Sequence, residues 1–313
     1  MPLTKHHPNS SRSRDSSNRN SGSGFHPFGG KLSRHFGDQV SDTTTAITTS
    51  ISTTPEPANA SQLSPEDAYL SYHDIRLTRE DVSTIHADWL TDNAISFWEE
   101  YLEREKLGGY PKANIVLLRP SMAFMLQQTP DPLSLKSALP DFTKTTHVFL
   151  PVNDCRRADV PEGGSHWSLL LVSTIDGVAF HYDSMHAHND PHAKLLAHRI
   201  SQLLGKPLKF ISLDDTPQQE NGMDCGVFVC LLMQHLLISR LLQAHAQDKV
   251  SMSMNGKQVD AAGGRKEMLR IIEARRKEGE RRRSRSHSPA VGRDGKSRSP
   301  PRIGEEQSTD RDE

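Results

Sequence analysis

The sequence is poor in cysteine: its 313 residues include only three, Cys155, Cys225 and Cys230. An odd and low number argues against a disulfide scaffold and favours a reducing compartment, so we expect the protein in the cytoplasm and nucleus. No apolar run approaches the roughly 20 residues of a membrane-spanning helix. The N-terminal residues MPLTKHHPNS lack the apolar stretch of a secretory signal. We therefore expect no association with a membrane.

Hydrophobic residues are also few, at 34% of the total, and they are unevenly distributed. Residues 1–64 are rich in Ser, Thr, Asn, Gly and Pro, and residues 279–313 are rich in Arg and Ser. Such stretches bury too little apolar surface to offset the loss of chain entropy on folding. We predict one folded domain over residues 65–278, with a disordered arm before it and a disordered tail after it.

Within this domain, apolar residues recur in patterns typical of both helices and strands. Helical spacing predicts helices over residues 91–107, 191–204 and 225–244, and a final helix near Met268–Ile272. Short apolar runs predict strands at NIVLL, HVFLPVND, HWSLLLVS, VAFHYDS and LKFISL. The turn Ile175-Asp176-Gly177 joins two of these strands as a hairpin. The pattern predicts an α+β domain.

Three polar residues stand at the ends of these apolar elements. His166 begins the strand HWSLLLVS, Asp183 follows the strand VAFHYDS, and Cys225 opens the third helix. The start of one strand faces the end of its hairpin neighbour, so we expect His166 and Asp183 at the same end of the sheet. A helix start and a nearby imidazolium both stabilise a thiolate. A carboxylate holds the imidazole in the required tautomer.

These residue types predict a cysteine nucleophile with Cys225 attacking, His166 as the base and Asp183 orienting the base. Gln219, in the loop before Cys225, is the expected donor to the oxyanion, together with the backbone N–H of Cys225. Taken singly, each residue has an ordinary structural interpretation, since a free cysteine is most often a small buried residue. The combination is what points to catalysis.

Several segments resemble the Ulp/sentrin-specific family of cysteine proteases. They are GGSHWSLLL, FHYDS, PQQENGMDCGVFVC and WLTDNAISF, and the resemblance extends over about residues 64–272. Thr91 stands where the family commonly has Asn. The resemblance implies a papain-like fold of the Ulp/adenain type, with a central mixed sheet flanked by helices. It also implies a His166, Asp183 and Cys225 triad with Gln219 in the oxyanion hole.

The same resemblance assigns substrate-binding residues. It implies that Trp89 and Trp167 clamp the thin Gly-Gly tail of a ubiquitin-like modifier, with Asp92 beside them. Two indoles can form a tunnel that only glycines pass, which positions the scissile carbonyl at the sulfur. No metal or other cofactor is expected, and the protein is expected to act as a monomer.

The context of GGSHWSLLL and FHYDS, with Asn189, His192 and Ala193 after it, resembles the branch that removes Nedd8 from cullins and processes its precursor. The loop PQQENG has the spacing of SUMO-specific proteases, so SUMO is the alternative modifier. An acyltransferase that uses the same triad is a further alternative.

A non-catalytic binding module that uses the basic tail is the alternative to an enzyme. No aromatic residues interleave with the arginines of the tail, so nucleic-acid binding is not expected. The tail reads as a solvated segment that is open to phosphorylation at Ser288-Pro289 and Ser299-Pro300.

Overall fold

A computed structural model of the chain describes residues 64–157, 163–244, 249–286 and 299–304. All of them belong to one compact unit that spans residues 59–313. The expected arm over residues 1–64 lies outside the described residues except for Ser64, and so does the Ser288-Pro289 step. None of the described helices is long and apolar enough to cross a membrane.

Eight strands occur in the described residues: β1 (Ala68–Tyr72), β2 (Ile75–Thr78), β3 (Ile115–Leu117), β4 (His147–Asn153), β5 (Trp167–Ser173), β6 (Val178–Tyr182), β7 (Lys209–Ser212) and β8 (Arg302–Ile303). Six α-helices occur with them: α1 (Arg79–Ala87), α2 (Asp92–Glu105), α3 (Pro120–Gln128), α4 (Asp190–Leu204), α5 (Cys225–Gln234) and α6 (Ala261–Ser286). This content confirms the predicted α+β class.

The centre of the molecule is a five-stranded mixed sheet in the order β3-β4-β5-β6-β7. The three middle strands are antiparallel, and each edge strand pairs parallel to its neighbour. Alternate residues of β4 point to different core clusters, since Phe149 belongs to one and both Val148 and Leu150 belong to the other. Both faces of the sheet are therefore covered, which explains why its strands read as continuous apolar runs.

The β5–β6 hairpin forms at the predicted turn. Leu169 lies opposite Tyr182, and Ser173 lies opposite Val178. Gly177 has a φ of 65°, which suits the turn because glycine carries no Cβ. This register brings the residue before β5 and the residue after β6 to one end of the sheet.

Helix α5 packs against β5, and helix α2 packs against α5. Thr91 caps α2 by accepting a hydrogen bond from the Ala94 N–H (3.2 Å), as the cap-forming residue before an apolar period does. Buried Trp98 donates its indole N–H to the Cys230 carbonyl at 3.0 Å, which ties the two helices together. After Gln234 the predicted third helix continues as a wider π-helical segment, His235–Leu241.

The chain after residue 278 differs from the prediction. Helix α6 was expected near Met268–Ile272 but runs from Ala261 to Ser286. Strand β8 then pairs parallel with β1, where the Ser71 N–H donates to the Pro301 carbonyl at 2.9 Å. The proposed boundary at 278 and the uniform tail over 279–313 are therefore wrong for residues 279–286 and 299–304. The sequence did not show this part of α6 because charged i,i+4 pairs, not a period of apolar residues, support the helix there. Strand β8 was missed because its two residues are too few to show the alternation of a strand.

We expect Ile303→Asp to lower the melting temperature by several degrees. Ile303 is buried in the main core cluster, and burial of such a side chain is worth roughly 1.5 to 3 kcal/mol. The matched control is Arg302→Asp on the same strand, since the Arg302 side chain is exposed. Thermal unfolding of both variants measures the difference, and equal losses would contradict the docking of β8.

Candidate active site

Cys225 is the first residue of α5, as predicted, and its side chain is buried. A helix N-terminus is where a negative charge is favoured, because the first backbone N–H groups have no partner within the helix. The Cys225 N–H makes no hydrogen bond to any residue that the structure describes. That donor is free to face a reacting oxygen beside the sulfur.

The residue after the cysteine, Gly226, has no room for a side chain. A Cβ at this position would lie 2.9 Å from the Cβ of Leu90, well inside contact distance. Leu90 is itself buried next to Trp89. The glycine therefore lets the start of α5 approach the segment between α1 and α2, which brings the sulfur close to Trp89.

His166 and Asp183 meet at the end of the β5–β6 hairpin. The His166 Nε2 lies 2.6 Å from Asp183 Oδ1, and both side chains are buried. Asp183 also accepts the backbone N–H of Met185 on Oδ1 (2.8 Å) and that of Asn189 on Oδ2 (2.7 Å). Burial raises the pKa of Asp183, but the His166 and Asn189 hydrogen bonds outweigh burial and leave it lowered. Asp183 is thus held as a carboxylate that accepts the His166 Nε2–H.

Cys225 lies on the other side of the imidazole. The His166 Nδ1 is buried and has no hydrogen-bond partner of ordinary geometry among the described residues. Burial lowers the pKa of His166, but the hydrogen bond and charge of Asp183, together with the nearby Cys225 sulfur, raise it to about 9. The structure therefore brings the three predicted residues together and favours an imidazolium between the Asp183 carboxylate and the Cys225 sulfur.

Gln219 lies in the loop before Cys225, as the sequence indicates. Its Oε1 accepts the Ser184 hydroxyl (2.6 Å), and its Nε2 donates to the Asn221 carbonyl (2.6 Å). One of the two Nε2 hydrogens is engaged in this way. Gln219 is not among the described residues that line the cleft, so its role as an oxyanion donor stays a prediction.

A cleft of about 430 Å³ opens beside the triad, and it contains the predicted substrate-binding residues. The residues that line it include Trp89, Asp92, Trp167, His166 and Cys225. The Trp89 side chain is 45% exposed, which is unusual for a large apolar residue. Both tryptophans therefore line the same cleft as Cys225.

Two further residues hold His166 in place, and the sequence analysis did not assign them this task. Asn189 is fully buried and donates its Nδ2 to the carbonyls of His166 (3.2 Å) and Val152 (3.3 Å). The Asp154 Oδ1 accepts the backbone N–H of His166 (3.1 Å) and of Ser165 (2.6 Å). The available signal was their position, since Asp154 directly follows β4 and Asn189 lies in the polar segment between β6 and α4.

The chain was compared with known proteins. Residues 88–261 match the model of the Ulp1 protease family, C-terminal catalytic domain. A NEDD8-specific protease 2 of Schizosaccharomyces pombe is 37% identical over 209 residues, which are 65% of this chain and 50% of that protein. A NEDD8-specific protease 1 of Arabidopsis thaliana is 35% identical over 174 residues, which are 53% of this chain and 74% of that protein.

A solved structure of the SUMO protease Ulp1, with its catalytic cysteine oxidized to a sulfonic acid, is also similar. It is 22% identical, covers 67% of this chain and 89% of its own, and gives a TM-score of 0.49.

Proposed function

The chain belongs to the Ulp1 protease family, and from that premise we propose that it is a cysteine isopeptidase acting on a ubiquitin-like modifier. One observation carries this proposal. The buried imidazole of His166 lies between the Asp183 carboxylate and the thiol of Cys225. Cys225 is at the start of α5 and lines the same cleft as Trp89 and Trp167. Nucleophile, base and orienting carboxylate together form a triad that activates a thiol for attack on an amide.

The proposed reaction uses the two nitrogens of His166 differently. The Cys225 sulfur attacks the carbonyl of the last glycine, and the oxyanion forms near the free Cys225 N–H. The Nδ1–H of His166 then passes its proton to the leaving lysine amine, and the C–N bond breaks. His166 next takes a proton from water, which attacks the thioester and releases the sulfur. Throughout, the Nε2–H donates to Asp183, which fixes the ring.

Nedd8 is the modifier that we propose. The support is the likeness to NEDD8-specific proteases, although the chain spans only 50% of the length of the S. pombe relative. Removal of the modifier from proteins such as cullins, processing of its precursor, and action in the cytoplasm and nucleus are parts of the same proposal. SUMO and ubiquitin are the other outcomes that a direct test must distinguish.

The test is a panel of Nedd8, SUMO and ubiquitin, each carrying a vinyl sulfone at its C-terminus. We expect the Nedd8 probe to label Cys225 at least about 10-fold faster than the other two, because specificity is a difference of affinities over a wide surface. Mass spectrometry of the Cys225 peptide identifies the site of labelling. Faster labelling by SUMO would overturn the choice of modifier, and no labelling by any probe would overturn the isopeptidase assignment.

A further inference from the structure

Arg265, near the start of α6, is a buried arginine whose five N–H groups all have acceptors within reach. Its Nε and Nη2 contact Asp224 Oδ1 at 2.9 and 2.8 Å. Its Nη2 also donates to the Met223 carbonyl at 3.0 Å, and its Nη1 donates to the carbonyls of Thr84 and Ile85, both at 3.1 Å. The sequence analysis assigned this residue no role.

These partners belong to two segments that both border the nucleophile. Met223 and Asp224 are the two residues directly before Cys225, and Asp224 is the cap residue of α5. Thr84 and Ile85 are in the last turn of α1, a few residues before Trp89. Their carbonyls lie at the end of a helix, where a cation is favourable. Arg265 therefore joins the turn that presents the sulfur to the segment that carries one wall of the cleft.

The same contacts continue toward Gln219 by side-chain hydrogen bonds. Asp224 Oδ2 accepts the Asn221 Nδ2 at 2.8 Å. Asn221 Oδ1 accepts the N–H groups of Met223 (2.8 Å) and Asp224 (3.1 Å), and the Asn221 carbonyl accepts Gln219 Nε2 at 2.6 Å. The turn before Cys225 is thus contacted by Asn221 on one side and by Arg265 on the other.

We propose that Arg265 is a positioning residue for Cys225: it holds the Met223–Asp224 turn so that the sulfur faces His166 and the Cys225 N–H faces the cleft. Arg265, Thr84 and Ile85 all lie outside residues 88–261, the part that matches the family model. The reactive geometry therefore depends on elements on both sides of the matched region. The effect on turnover rests on the proposed function, whereas the effect on the thiol does not.

The test compares Arg265→Lys with Arg270→Lys in the full-length chain. Lysine keeps the charge but has three donors in place of the planar fork of five, so it cannot meet all these acceptors. Arg270 is the matched control because it is exposed on the same helix and, among the described residues, donates its side-chain hydrogen bonds to Glu267, three residues away. Both variants are examined by thermal unfolding, by kcat and KM on a Gly-Gly fusion, and by the rate at which iodoacetamide alkylates Cys225 at about pH 6.

For Arg265→Lys we expect kcat to fall by about 10- to 100-fold with KM within about threefold, because misplacing a reacting group by about 1 Å costs that much. Alkylation of Cys225 should slow in parallel, and Arg270→Lys should match the wild type. A lowered melting temperature with unchanged kcat and alkylation would show that Arg265 is merely structural, and would overturn the proposal.

The two proposals fail separately. If the wild type cleaves no modifier fusion while Arg265→Lys still slows alkylation, the positioning role stands and the proposed function falls. If Arg265→Lys does not fold at about 25 °C, Asp224→Asn replaces it, since that variant keeps an oxygen facing Arg265 but loses the charge. The same results for kcat and alkylation then support or overturn the role.

Discussion

Cys225→Ala is expected to abolish cleavage after Gly-Gly, with kcat lower by on the order of 10⁶, because loss of the nucleophile of a triad costs about as much as loss of the whole triad. The change removes only a sulfur at the first position of α5. The His166–Asp183 hydrogen bond does not depend on it. Binding of the modifier should therefore persist. The measurement is single-turnover release of a C-terminal fusion from Nedd8, with affinity for the uncleaved fusion measured on the same sample.

The control for this prediction is Cys230→Ala on the same helix. Cys230 is fully buried and, like Cys225, forms no disulfide. Burial raises the pKa of its thiol well above the ordinary value, so it is unsuited to attack. We expect this variant to lose some stability but to keep kcat within about threefold. If Cys225→Ala retained cleavage, or if both variants lost it, the nucleophile would be misassigned.

The contact between His166 and Asp183 could be predicted because its geometry is local. His166 and Asp183 are 17 residues apart, and one turn at Gly177 sets the register that joins them. Cys225 could be located at a helix start after a polar loop, but its place beside His166 was implied only by the family resemblance. For each of these residues, the hydrophobic periodicity of one helix or strand showed where that element begins or ends, and the residue lies at that point.

Arg265 could not be predicted in that way, since its partners are far away in sequence. Asp224 is 41 residues from it and Ile85 is 180 residues from it. In the sequence Arg265 begins a stretch of charges, and nothing local separates a buried guanidinium from its exposed neighbours. The orientation of Gln219 was hidden for the same reason, because it is set by Ser184 on another loop. When tertiary contacts determine the conformation of a side chain, the sequence shows no periodic pattern that would predict it.

Asp183→Asn is expected to lower kcat by roughly 10³- to 10⁴-fold, because an amide forces the wrong tautomer on the histidine. Asp183 Oδ1 accepts from His166 and Met185, and Oδ2 accepts from Asn189. Either orientation of an asparagine amide turns its NH₂ group toward one of these donors. If the NH₂ faces His166, the ring must accept on Nε2 and carries its proton on Nδ1, toward the sulfur.

The pH dependence gives this prediction a second readout. With the pKa of His166 raised to about 9, the imidazolium is present below that pH and is lost above it. We therefore expect kcat/KM of the wild type to fall as the pH rises through about 9. Asp183→Asn removes the hydrogen bond and the negative charge that raise this pKa, while burial still lowers it, so the alkaline fall should move to lower pH.

The matched control is Asp190→Asn, since Asp190 also holds a histidine. Its Oδ1 lies 2.8 Å from His181 Nδ1 and 2.7 Å from the Ser212 hydroxyl, away from the sulfur. We expect kcat within about threefold of the wild type and an alkaline fall that stays near pH 9. An alkaline fall that does not move in Asp183→Asn would mean that another group controls it, and equal losses of kcat in both variants would mean that the carboxylates act through stability alone. If the alkaline fall shifts only in Asp183→Asn, the proton whose loss lowers kcat/KM above about pH 9 belongs to His166. His166 is the only reacting group that Asp183 contacts in the described residues.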